Sequence, residues 1–295
     1  MRATGPSART EVGRVVEIVL KHPHEAFGSQ ARIEAEWRAL HFAGPPDFER
    51  ALDEYAAFVD LVGPMGLTLR CLSETPGTGL DSVYVRDASV VGPDGMILCA
   101  MGKPARAAEP DAQAAAFAAW GIRVAGAIAP PGLLEGGDVV WLDDETVLVG
   151  RGYRTNDAGI EQLRQLLGRA IEVVSVPLPH WRGPADVFHL MSILSPVDRD
   201  LAVVYAPLLP VPLRELLLAR GLTLIEVPDA EFDSMGANVL ATSPRRAVML
   251  DGNPVTRRRL EAAGADVHVY TGREISVKGG GGPTCLTRPI RRGAV

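Results

Sequence analysis

Hydrophobic and polar positions along this chain switch repeatedly between two periods. Ser82–Val91 reads as a β-rich run, followed by the polar turn Pro93-Asp94-Gly95 and a second run at Met96–Ala100. Asp138–Leu142, the turn Asp143-Asp144-Glu145 and Thr146–Gly150 repeat the arrangement. So do Val187–Leu194 with Leu201–Tyr205, and Asn238–Ala241 with Ala247–Leu250. Two β-rich runs around a polar turn predict a hairpin. Each hairpin precedes a stretch with helical spacing: Asp111–Trp120, Asp157–Leu167, Val211–Arg220 and Pro254–Ala263. Asp, Asn or Pro opens these stretches, and Gly121, Gly168, Gly221 and Gly264 end them, as helix caps require. A short β-rich run follows each helix, at Ile122–Ile128, Ile171–Val176, Leu222–Val227 and Asp266–Tyr270.

The unit hairpin–helix–strand therefore occurs four times. A fifth is assembled from the two ends of the chain: a helix at Phe48–Val62, a strand at Leu67–Leu72 and the hairpin strand Thr284–Ile290. A unit split between the termini closes a ring. The predicted fold is α/β, a five-bladed αβ propeller around a central active-site channel, instead of the two domains that 295 residues would suggest. Residues 1–14 read as a flexible N-terminal extension and residues 15–295 as a single catalytic domain. Nothing in the sequence decides whether His22-Pro23-His24 lies near the channel or on a mobile lid.

Composition narrows the function classes. A hydrophobic content of 47% supports a sizeable core and excludes wholesale disorder. A formal net charge of −6 lacks the basic footprint of a nucleic-acid binder. No apolar run approaches the ~20 residues that span a bilayer, and the first residues show no signal-peptide core. Three cysteines, odd in number and far apart, exclude a disulfide scaffold and point to a reducing, cytoplasmic setting. A homodimer is left open.

If the blades are related by rotation, the starts of the hairpins meet near one axis. Asp81 and Asp87 stand there in the first unit, Glu135 and Asp138 in the second, Asp186 and His189 in the third, Asp233 and Asn238 in the fourth, and Cys285 in the fifth. Cys285 follows four glycines and Pro283-Thr284, a loop able to bring backbone close to a ligand. That placement makes it a candidate nucleophile, whereas Cys71 and Cys99 lie in apolar strands and read as core. His189, inside an apolar run, would alone read as a structural histidine; beside a nucleophilic cysteine it suits general acid–base work. Glu135 and Asp138, around a glycine pair, suit a planar guanidinium bound bidentately. One histidine among scattered acids lacks the spacing of a zinc site.

The motifs Asp81…Asp87, Leu134-Glu135-Gly136-Gly137-Asp138, Gly152-Tyr153-Arg154-Thr155-Asn156, His189 and Gly-Gly-Gly-Gly-Pro-Thr-Cys285 together resemble the guanidino-group-modifying (pentein) superfamily over roughly residues 65 to 292. It comprises dimethylarginine dimethylaminohydrolases, arginine deiminases, arginine dihydrolases and amidinotransferases. The resemblance implies a five-bladed propeller, a small guanidino substrate and no cofactor. It implies that Cys285 is the nucleophile, His189 the acid and later the base, and Glu135 the partner of His189 and the guanidinium. Asp81, Asp87, Asp138 and Asn238 are expected at the substrate, and Arg154 and Arg106 at its carboxylate. The product would be citrulline, formed through a thiouronium adduct. Arg86-Asp87 matches the arginine deiminases, while the chain length matches the dimethylargininases or dihydrolases. The reaction class is thus implied and the substrate lies between arginine and N-methylated arginine. An amidinotransferase and a non-catalytic propeller, like a ribosome anti-association factor, are the other readings.

Overall fold

Five three-stranded sheets, each made in the same way, build the ring. The structure is a computed structural model describing residues 9–63, 66–186 and 188–293. Strand β1 (Val15–Leu20) leads through helices α1 (Pro23–Phe27), α2 (Gln30–Glu36) and α3 (Phe48–Val62) to β2 (Thr68–Cys71). The next unit is β3 (Ser89–Gly92), β4 (Gly95–Leu98), α4 (Glu109–Ala119) and β5 (Val124–Ala127). Then come β6 (Val139–Trp141), β7 (Thr146–Arg151), α5 (Asp157–Leu167) and β8 (Glu172–Pro177). The fourth sheet has β9 (Leu194–Asp198), β10 (Leu201–Val204), α6 (Val211–Ala219) and β11 (Thr223–Glu226). After the short α7 (Asp229–Phe232), the fifth has β12 (Val239–Ser243), β13 (Arg246–Leu250), α8 (Pro254–Ala262) and β14 (Asp266–Tyr270), and β15 (Arg288–Arg292) ends the chain.

In every sheet the first two strands are antiparallel and the third runs parallel to the middle one, as a helical crossover requires. The closing sheet obeys the same rule with its hairpin split: β15 pairs antiparallel with β1, and β1 pairs parallel with β2. The fold is therefore the five-bladed αβ propeller expected. Its middle closing strand, β1, is absent from the repeat legible in the sequence, because its hairpin partner lies at the other end of the chain. The sequence Val-Val-Glu-Ile-Val-Leu is an ordinary buried strand.

Helix boundaries follow local chemistry. Asn156 caps α5 by accepting from the Gly159 N–H at 2.9 Å, and Asp47 caps α3 through the Arg50 N–H at 3.1 Å. Ala51, Tyr55, Phe58 and Val62, at helical spacing, bury one face of α3. Helix α4 starts at Glu109, two residues before the expected Asp111, because Pro110 is accommodated in the first turn.

Two expected strands are shorter than the hydrophobic pattern suggests. Leu80–Val83 and Leu190–Ser192 are 3-10 turns, and strands begin only at Ser89 and Leu194 (Val187 lies outside the described residues). Gly136–Asp138 forms a third such turn ahead of β6. Each lies at the entrance of a blade. In the first two, Leu80, Val83, Leu190 and Met191 are buried, which mimics a strand in the sequence.

The stretch read as an N-terminal extension is packed where it is described. Glu11 and Val12 are buried, and Glu11 pairs with Arg86 at 3.3 Å. The packed part of the chain thus begins ahead of Val15; residues 1–8 lie outside the described residues. His22 accepts from the His24 N–H at the start of α1 and stacks edge-on against Tyr55, so His22-Pro23-His24 is a helix start. Cys99 is buried as expected, but Cys71 is exposed, because β2 forms an outer edge of its sheet. Among the described residues no helix is long and apolar enough to cross a membrane.

Candidate active site

The three entrance turns and the glycine loop converge on one small cavity. Asp81, Asp87, Arg106, Arg154, His189 and Cys285 line it, and Glu135 lies fully buried behind His189. Its free volume is about 20 Å³, room for roughly one water molecule.

Glycine shapes both walls. A Cβ on Gly281 or Gly279 would fall onto the Tyr84 ring, and one on Gly282 would meet the Asn238 amide. Only a chain without side chains passes this close, and Tyr84 is itself fixed by donating its hydroxyl to the Ile275 carbonyl at 3.1 Å. On the other wall, a Cβ on Gly137 would lie 2.5 Å from His189 Nδ1 and 2.8 Å from Asp87 Oδ1. The Glu-Gly-Gly-Asp turn is thus required by the approach of His189. Gly281→Ala is expected to lower stability by about 1–3 kcal/mol through displacement of Tyr84, read as a lower urea midpoint with an unchanged m value.

Cys285 is half-buried at the end of the glycine loop, its N–H bonded to the Gly282 carbonyl. Asn238 Nδ2 lies 3.5 Å from its sulfur, and Asn238 Oδ1 accepts from the Thr284 N–H and hydroxyl at 3.1 and 2.9 Å. Burial first, and then the Asp87 carboxylate, pushes the Cys285 thiol up, against a pull downward from Thr284 and Arg86. The Cys71 thiol is pushed up as well, by partial burial and then by the Glu25 carboxylate.

His189 Nε2 donates to Glu135 Oε2 at 2.7 Å, and its Nδ1 faces Asp87 Oδ1 at 3.9 Å. Burial disfavours the imidazolium, but Asp87, Asp138 and Glu135 outweigh it, and the pKa is pushed up to about 9. Glu135 shows the converse balance. Burial would raise it, yet the His189 hydrogen bond and the charges of His189, Arg154 and Arg106 hold it well below the usual carboxylate range. Among the described residues Asp87, Glu135 and His189 form a cluster whose ligand atoms lie within 4.8 Å of one another. The carboxylates already accept from Arg106, Gly137, Arg154, Lys103 and His189, so their lone pairs serve a hydrogen-bonded relay.

Of the predicted substrate contacts, Asp138 and Asn238 are not among the residues that line the cavity, and Arg106 lines it with its guanidinium already paired. Asp138 is outside the cavity: it accepts from Thr155 Oγ1 and the Leu190 N–H, bracing the turn that carries His189, and burial raises its pKa to about 6. Asn238 holds the Cys285 loop. Arg106 is paired with Glu109, Asp87 and the Tyr84 carbonyl. Arg154 lines the cavity with its Nη1 at 3.3 Å from both Glu135 oxygens. Asp233 is exposed and pairs with Arg182. The sequence reading missed Lys103 and Tyr84, both of which line the cavity. A signal for Lys103 existed: it lies in the segment after β4, as Arg154 lies in the segment after β7 of the next blade.

A thiol, an imidazolium and paired carboxylates at the axis of a five-bladed ring define a hydrolase of the guanidino-group-modifying class. The sequence profile of the arginine deiminase family matches residues 81–211 and 206–292. The dimethylarginine dimethylaminohydrolase of Streptomyces coelicolor is 33% identical over 213 residues, covering 69% of this chain and 76% of its own. The arginine deiminase of Mycobacterium avium is 31% identical over 190 residues, covering 54% of this chain and 46% of its own. Among solved structures, the dimethylarginine dimethylaminohydrolase of Pseudomonas aeruginosa, in complex with citrulline, superposes with a TM-score of 0.75 at 20% identity, covering 95% of this chain and all of that one. The chain belongs to the arginine deiminase family, within the pentein superfamily.

Proposed function

We propose that this protein hydrolyses free N-methylated arginine, in the manner of a dimethylargininase, to citrulline and an amine. The observation that carries the reading is the placement of the His189–Glu135 pair against the cavity that holds Cys285. A guanidinium is a poor electrophile because its charge is delocalised, so orientation precedes attack. Asp81 and Asp87 grip its nitrogens. Cys285 Sγ, as thiolate, bonds to the guanidino carbon, and His189 Nδ1 gives its proton to the departing amine, leaving a thiouronium. The neutral imidazole then takes a proton from water, whose oxygen attacks the same carbon and releases the sulfur. Arg154 and Glu135 form the charged floor under His189.

One finding supports the methylated substrate. The chain covers 76% of the dimethylarginine-hydrolysing relative but 46% of the deiminase. The family profile itself favours a second reading, in which unmethylated arginine is the substrate. Incubation with asymmetric dimethylarginine, monomethylarginine and arginine, with products identified by mass spectrometry, separates them. Citrulline with dimethylamine is expected. Citrulline with ammonia selects the second reading, and turnover only with an added acceptor amine would replace water by a transferase acceptor. No turnover of any of the three would overturn the hydrolase reading.

A further inference from the structure

Among the 30 Lys and Arg residues of the chain only Lys21, Lys103 and Lys278 are lysines. One of them occupies the candidate active site. Lys103 Nζ lies 2.6 Å from Asp81 Oδ2 and donates to the Leu40 carbonyl at 2.7 Å. The two side chains are 11% and 7% exposed. Contact is close, yet its angle is not that of a hydrogen bond, and Asp81 Oδ2 has no hydrogen-bond partner among the described residues. The main chain is anchored separately, since the Lys103 N–H donates to Glu135 Oε1 at 3.1 Å. A fixed backbone thus carries a four-carbon stem whose ammonium sits on a carboxylate facing Cys285. The cavity, with about 20 Å³ free, has no room for a guanidino group beside it.

We propose that Lys103 is a displaceable internal cation that competes with substrate for Asp81. The inference rests on the guanidino-hydrolase reading. A guanidinium entering the site expels the ammonium because it can bond a carboxylate through two parallel N–H groups, where an ammonium offers a point charge. Once the reaction has turned the cation into a neutral ureido group, Asp81 is left without a counter-charge, and Lys103 returns and displaces the product. Lysine suits this role and arginine does not: a second guanidinium here would itself be presented to Cys285. Occupancy by Lys103 weakens every ligand of the subsite by the fraction of molecules in which it is withdrawn.

The sign of one measurement separates this from a substrate-binding lysine. In the full chain, Lys103→Met and Lys103→Ala are expected to lower both KM and the inhibition constant of citrulline, each by roughly tenfold or more, with kcat unchanged or reduced as release becomes slow. A raised KM, or an unchanged citrulline constant in a variant that melts normally, overturns the proposal. A second test leaves Lys103 in place. In Cys285→Ser protein, amine methylation of Lys103, followed by peptide mass spectrometry with Lys21 and Lys278 as internal references, should accelerate severalfold when arginine or dimethylarginine is added. Labelling of Lys103 that ignores these ligands overturns the proposal as well. Turnover by the wild type distinguishes the two levels: with turnover, failure removes only the role of Lys103; without it, both readings fall.

Discussion

Cys285→Ser is expected to abolish turnover of the guanidino substrate, by a factor on the order of 10⁴ or more, while the protein still binds it. A serine hydroxyl at this site would be far less ionised than a thiol, and burial raises even the thiol. Orientation by Asp81 and Asp87 would survive, so substrate affinity measured by calorimetry should remain near the wild-type KM. The fold should survive as well. Two main-chain hydrogen bonds seat this residue whatever its side chain, from its N–H to Gly282 and from the Arg86 N–H to its carbonyl. Retained activity in the serine protein would remove covalent catalysis from the mechanism. Alkylation gives a companion test that needs care with the other cysteines. Cys71 is exposed and Cys99 buried, so modification must be located by peptide mapping. Only modification of Cys285 should track loss of activity, and its rate should climb with pH, since the thiolate is the reacting form.

The contrast among these cysteines shows where the sequence was legible and where it was not. The repeat was legible because each blade carries its own turn, cap and apolar period. Helices α3 and α5 match the expected Phe48–Val62 and Asp157–Leu167, each fixed by a capping side chain. Strand β1 was not legible as part of a unit, since pairing across the whole chain leaves no local trace. Cys71 read as core because its neighbours are apolar, but a strand at a sheet edge can expose alternate residues. At the site, residue types and order located Asp81, Asp87, Glu135, His189 and Cys285, and the family resemblance added Arg154. Their partners were hidden. Asp138, Asn238 and Arg106 look like ligand-binding groups in a sequence, and the fold gives each of them partners within the protein, next to His189, the Cys285 loop and Asp87. Those partners, chiefly the Leu190 N–H and Thr284 as donors and the Glu109 carboxylate as the acceptor from Arg106, carry no mark in the sequence.

Glu135→Gln is the substitution that tests the relay, and its effects extend to pH dependence. The amide is nearly isosteric, so the cavity keeps its shape, but the carboxylate that accepts from His189 Nε2 and faces Arg154 loses its charge. Glu135 is among the groups that hold the His189 pKa up at about 9, with Asp87 and Asp138. Without it the imidazolium is less stable and the proton donor for the leaving amine is depleted. A loss of about 10²–10⁴ in kcat is expected, the usual contribution of a positioned acid. The sign follows from the mechanism: His189 acts in its protonated form, so kcat/KM falls as pH rises through its pKa. In the wild type the alkaline limb should lie near pH 9, as an apparent value shared with Cys285. In Glu135→Gln it should move to lower pH. Folding stability carries the same signature. A histidine whose pKa is raised from about 6.5 in the unfolded chain contributes stability that is full below that value and is lost as pH rises through about 9. Urea unfolding at pH 6 and pH 9.5 should therefore show a larger drop for the wild type than for Glu135→Gln. A variant with an unmoved alkaline limb and an unchanged stability difference would separate His189 from Glu135, and the proton for the leaving amine would have to come from another group.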